Sequence, residues 1–121
     1  MVLTGCAATH ADLRYLALGD SYTIGEGVAP TERWPVQLAA RLRADGIKVQ
    51  EPIIIARTGW SVGELSAAMD AASLDAPYDL VTLLIGVNDQ YRVGKVETYR
   101  AEFRTLLARA VALAGARAGR V

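Results

Sequence analysis

The chain has 121 residues, 52% of them hydrophobic and 21% charged, with 13 basic and 13 acidic side chains, so one soluble globular domain is expected. Zero formal net charge with no Lys/Arg run excludes the electrostatic footprint of a nucleic-acid binder or a polybasic membrane-surface protein, which leaves small neutral ligands as the fitting partners. A lone cysteine excludes an internal disulfide, no Cys/His cluster has metal-ligand spacing, and no run of eighteen apolar residues is available to cross a bilayer, so neither a metal, a cofactor nor a transmembrane segment is expected.

At the amino terminus, Leu3-Thr4-Gly5-Cys6-Ala7-Ala8 resembles a bacterial lipobox, but only Met1 and Val2 precede it. An export signal needs a basic stretch and an apolar core of about 7–15 residues upstream. Residues 1–12 are therefore expected to be a flexible tail and the chain, as written, to be cytoplasmic; a start further upstream would make Cys6 a lipidation site and the protein a lipoprotein.

Leu13 to Leu18 reads as a first strand. After the glycine-rich turn, Trp34, Leu38 and Leu42 recur at i, i+4, i+8 on a helix that Pro35 opens and Gly46 closes. Ile47 to Ala56 is β-branched and ends in Ile53-Ile54-Ile55, a second, buried strand. Val62, Leu65, Met69 and Ala72 mark a second helix, broken by Pro77. Leu80 to Ile85 is nearly continuous in apolar residues, the pattern of a strand covered on both faces. From Val96, the residues Tyr99, Phe103, Leu106, Ala110 and Leu113 form a long amphipathic helix, and Gly115 to Gly119 reads as a turn.

Strands alternating with helices predict an α/β fold with a parallel sheet. The chosen architecture is flavodoxin-like, three-layer α/β/α, incomplete at about three strands and three helices, with strand one between strands two and three. In that order Leu80 to Ile85 lies at an open edge, so the 121-residue chain alone is expected to self-associate through its edge strand.

Three motifs fall at the carboxyl ends of the three strands, where open α/β sheets build their sites. They are Gly19-Asp20-Ser21, Arg57-Thr58-Gly59-Trp60 and Gly86-Val87-Asn88-Asp89. The set suits acyl transfer: Ser21 is the candidate nucleophile, and the Ser21 and Gly59 N–H groups with the Asn88 amide are candidate oxyanion donors. Glycine at 59 allows close backbone approach. Asp20 and Asp89 read as carboxylates that brace their loops, and Glu26, Arg57, Trp60, Gln90, Tyr91 and Arg92 as solvated rim residues.

These three blocks resemble those of the SGNH hydrolases, the GDSL-type esterases and lipases, with Ser21, Gly59 and Asn88 matching the family's first three signature residues. The resemblance covers essentially the whole chain and implies a serine-dependent hydrolase acting on a small-molecule ester through an acyl-enzyme, with residues 13–121 as a partial domain. It stops before the family's last block, an Asp-x-x-His that supplies the orienting acid and the base. The only histidine, His10, precedes strand one, on the order of 15–20 Å from Ser21 along an extended chain, too far for a base that must come within about 3 Å. The 121 residues alone are therefore expected to be inactive. The alternative is a non-catalytic remnant or a ligand-binding α/β module using the same crevice. Phosphate readings fail: Gly25-Glu26-Gly27 lacks the Lys-Ser/Thr of a P-loop, and no G-x-G-x-x-G follows the first strand.

Overall fold

The computed structural model describes residues 12–121. Cys6 and His10, and the tail assigned to residues 1–12 except Asp12, lie outside the described residues. The elements in chain order are β1 (Tyr15–Gly19), α1 (Ser21–Ile24), α2 (Trp34–Ala44), β2 (Ile53–Ala56), α3 (Val62–Ala71), β3 (Leu80–Leu84), α4 (Val87–Tyr91) and α5 (Val96–Leu113), with 3-10 turns at Pro30–Glu32 and Ala118–Arg120.

The strands form one parallel sheet in the order β2-β1-β3, as the sequence predicted. Because side chains alternate across a strand, β1 feeds two cores. Leu16 and Leu18 enter one with Val62, Leu65 and Met69 of α3, Val81 of β3, and Leu106 and Ala110 of α5. Tyr15 and Ala17 enter the other with Ala39 of α2 and Val49, flanked by Leu38, Leu42, Ile54 and Leu80. This division is the three-layer arrangement, and each fully buried leucine of β1 contributes roughly 1.5–3 kcal/mol through apolar burial. The Tyr15 hydroxyl lies 3.0 Å from Thr82 Oγ1 across β1 and β3, and burial pushes its pKa up.

The helices start where local chemistry allows. Ser61 Oγ accepts from the Glu64 N–H at 3.3 Å and Glu64 Oε2 accepts from the Ser61 N–H at 2.8 Å, a reciprocal cap that opens α3. Pro35 lies in the first turn of α2, where its missing N–H costs no hydrogen bond. Arg109 of α5 donates to Asp70 of α3 at 2.7 Å and to Ser66 Oγ at 2.7 Å, tying the two helices on one face.

Several expectations need correction. The first two strands are shorter than the apolar runs that suggested them: β1 begins at Tyr15 and β2 at Ile53, while Leu13 and Val49 form only an isolated parallel bridge. Apolar composition marked where chain could be buried, not where ladder bonds form. The helix of the second crossover ends at Ala71, well before Pro77, and α1 and α4, too short to show a 3.6-residue period, were missed. β2 is not fully buried, with Ile53 44% exposed, and β3 is not covered on both faces, with Leu84 48% exposed. Among the described residues each has a strand neighbour on one side only. Among the described residues no helix is long and apolar enough to cross a membrane.

Candidate active site

Parallel strands bring the three motif loops to one end of the sheet. Gly19 is in register with Ala56 of β2 and Leu84 of β3. Ser21 therefore leaves the central strand, with the Gly59 and Asn88 loops leaving the strands on either side, each about 4.8 Å away in the ladder.

The serine turn is built by its neighbours. Asp20 is buried and its Oδ1 accepts the Tyr22 N–H at 3.0 Å, capping α1, while the Asp20 carbonyl accepts from Thr23 and Ile24. This carboxylate is committed to the turn, in agreement with its reading as a brace. Gly25 closes the turn with φ 73°, its N–H bonded to the Ser21 carbonyl. At Gly19 a Cβ would lie 2.1 Å from Thr23 Oγ1 and 2.8 Å from the Leu84 carbonyl, so only glycine lets the chain pass from β1 into α1 beside β3. Ser21 itself is half-buried at the first position of α1. Among the described residues, neither its N–H nor the Gly59 N–H is spent on another group.

Gly59 has φ 87°, and no atom lies within 4 Å of where its Cβ would be. The left-handed backbone conformation favours glycine here, and the space beside it is open. The loop around it is held from outside. Asn88 Nδ2 donates to the Trp60 carbonyl at 3.0 Å, which uses one of its two N–H groups and leaves the second. Asp89 accepts the Val62 N–H at 3.1 Å, bracing the start of α3 in the manner the sequence suggested. Arg92 Nη2 donates to the Gly59 carbonyl at 2.6 Å and pairs with Glu64 at 3.0 Å. On the other flank the Thr58 hydroxyl donates to the Glu26 carboxylate. The Ser61 N–H and, after it, the Arg92 guanidinium hold the Glu64 carboxyl below its ordinary pKa.

Ser21, Gly59 and Asn88, singled out from sequence, thus lie in loops at the same end of the sheet, and the Gly59 and Asn88 loops are bonded to each other. Arg92 and Glu26, expected from sequence to be solvated rim, are instead bonded to this loop, and Glu64, which the sequence reading does not single out, holds Arg92. Two local signals pointed there: Asn88 and Arg92 are spaced i, i+4, and Ser61-x-x-Glu64 is a capping box. Tyr99 donates to the Ile85 carbonyl at 3.3 Å and packs its ring 5.7 Å from Phe103. It also fills the space a Cβ on Gly86 would need, at 2.6 Å from its hydroxyl. Beside it, Ile85, Val87, Val93 and Val96 line an open apolar hollow of about 710 Å³.

The model of the GDSL-like Lipase/Acylhydrolase family matches residues 17–119. No curated protein matches the sequence. Among solved structures, the chain is similar to AlinE4, an SGNH-hydrolase family esterase (24% identity, TM-score 0.70, 84% of this chain and 55% of that one). It is similar to TesA (21% identity, TM-score 0.74, 84% and 56%). It is also similar to the psychrotrophic esterase EstA from Pseudoalteromonas sp., in a structure inhibited by monoethylphosphonate (22% identity, TM-score 0.72, 85% and 56%). At these identities the likeness is one of fold, and the chain spans about 55% of the length of the structures it matches.

Proposed function

This chain belongs to the GDSL-like lipase/acylhydrolase family, and from that premise we propose that it is the part of a serine-dependent ester hydrolase that carries the nucleophile and the oxyanion donors. Residues 13–121 are, on this reading, one portion of a single hydrolase domain. Ser21 Oγ attacks the ester carbonyl, the alcohol leaves, and water releases the acyl group from the serine. The oxygen that becomes negative in each tetrahedral intermediate is met by the Ser21 N–H, the Gly59 N–H and the second N–H of Asn88 Nδ2. A base must take the Ser21 proton and return it to the leaving alkoxide. None of residues 12–121 is a histidine, and in this proposal the base belongs to the part of the fold that the matched structures have and these 121 residues do not span.

The observation that carries the reading is the convergence of a half-buried turn serine with two unspent backbone N–H groups on adjacent parallel loops. The test uses the protein expressed from its full reading frame. A p-nitrophenyl ester panel of graded chain length should be hydrolysed, and an organophosphonate ester should label Ser21 stoichiometrically, detected by peptide mass spectrometry. No labelling at Ser21 together with no hydrolysis refutes the enzyme and favours a ligand-binding module.

A further inference from the structure

Gly59 is the weakest-held member of the rim. Its left-handed conformation is one that glycine adopts readily but does not fix by itself, no atom packs where its Cβ would be, and the turn's own backbone bond, Trp60 N–H to the Arg57 carbonyl, is 3.3 Å long. Thr58, on one side of it, is tied to Glu26; what restrains the carbonyl side comes from α4 and from the start of α3. Arg92 caps the carboxyl end of α4, one helical turn after Asn88, so both side chains reach the same loop. Asn88 takes the Trp60 carbonyl and Arg92 takes the Gly59 carbonyl, at 3.0 and 2.6 Å. Arg92 is in turn held by Glu64 at 3.0 Å, and Glu64 by the Ser61 N–H at 2.8 Å. The result is a closed ring running from Gly59 through Arg92 and Glu64 back to residue 61.

We propose that Arg92 is a positioning residue for the Gly59 oxyanion donor: by gripping the Gly59 carbonyl it fixes the 59–60 peptide plane, and so restricts the φ and ψ of Gly59 that connect this plane to the preceding one, which carries the N–H aimed at the reacting oxygen. The inference rests on the acyl-transfer reading of Ser21. A charge-assisted bond to a carbonyl is both short and directional, which suits a group that must hold a backbone segment without packing around it. Arg92 and Glu64 side chains are 53% and 46% exposed, so as an ion pair they add little to stability. That separates a positioning role from a structural one, because removing Arg92 should disturb aim far more than fold. Arg92 does not itself touch the reacting atoms in this assignment.

The experiment compares wild type with R92Q, R92K and E64Q in the protein from its full reading frame. The readouts are kcat and KM on neutral and anionic p-nitrophenyl esters, the rate of Ser21 phosphonylation, and thermal unfolding. R92Q should lower kcat and the phosphonylation rate together by about tenfold, a fraction of the 10²–10³ that a whole donor supplies, with KM and melting temperature nearly unchanged. R92K should recover part of the loss, E64Q should show a smaller loss of the same kind, and the R92Q/E64Q pair should be less than additive because both act through one bond. Wild-type kcat in R92Q overturns the assignment. So does a loss confined to KM on anionic esters, which would make Arg92 a substrate contact. If wild type itself is neither labelled nor active, the acyl-transfer reading fails and this inference with it.

Discussion

The two ends of the sheet differ in what their polar groups leave free. At the amino end the charged side chains close on backbone groups, on a ring and on one another. The Arg14 N–H donates to Asp79 Oδ2 at 2.8 Å, its guanidinium donates to the Pro77 carbonyl at 2.9 Å and lies 4.5 Å over the Tyr78 ring. Arg117 donates to the Tyr78 carbonyl at 2.9 Å and faces Asp79 at 3.7 Å. Tyr78 is buried and its N–H is taken by the Leu113 carbonyl. This end is closed: it fastens the start of β3 and the end of α5 to β1. At the carboxyl end Asp20, Asn88, Asp89 and Arg92 are turned onto backbone groups of the loops, and the Ser21 and Gly59 N–H groups are left unspent. Satisfied polar groups stabilise, whereas a site that must receive a developing charge has to keep some donors free. Substitutions at the two ends should therefore separate stability from turnover.

The largest effect is expected at Ser21. In the protein from its full reading frame, Ser21→Ala should abolish nearly all ester turnover while changing the melting temperature by only a few degrees at most, since the half-buried side chain removed is small. Turnover at the wild-type level would remove the nucleophile from our proposal. Asn88→Ala comes next: kcat should fall by about 10²–10³ with KM little changed. Its lost bond to the Trp60 carbonyl should cost about 1 kcal/mol in denaturant unfolding. A change in KM alone would place Asn88 in substrate binding.

Asp79→Ala probes the opposite end. It leaves the Arg14 N–H without its acceptor and should destabilise by about 1–3 kcal/mol in urea unfolding, with kcat per folded molecule unaltered. A catalytic defect exceeding the stability loss would show that the two ends are coupled. The smallest effect is a pH dependence. Glu64 has its carboxyl held below the ordinary 4.5, so its contribution to stability is present above that value and is lost as pH falls from there through the lower folded value. In Glu64→Gln that acid limb of the unfolding midpoint should flatten, and an unchanged acid limb would show that the cap and the Arg92 pair do not form in solution.

Much of this was legible in the chain because it depends on local chemistry. The spacing of Val62, Leu65 and Met69 located α3, and all three are buried. Gly-Asp-Ser after an apolar run located the turn that ends β1. The order β2-β1-β3 followed from the motifs taken together. Strand lengths were not legible, because Leu13 and Val49 are as apolar as the residues of β1 and β2 but meet only in a single bridge. Nor was the exposure of Leu84, since a hydrophobic run states what a residue prefers and not what lies beside it.

By itself the sequence determined the alternation of strands and helices and the residue types at the three carboxyl-terminal turns, through hydrophobic periodicity and through the glycines at 19 and 86, whose side-chain-free positions admit the neighbouring backbone and Tyr99. Only the tertiary structure decided what those turns do to one another. Gly59 and Arg92 are 33 positions apart, and no local pattern states that a guanidinium at one will close on the carbonyl of the other. That contact exists because the crossovers return the chain to the same end of a parallel sheet, where the loops that follow β2 and β3, the two strands flanking β1, reach each other across the end of the central strand.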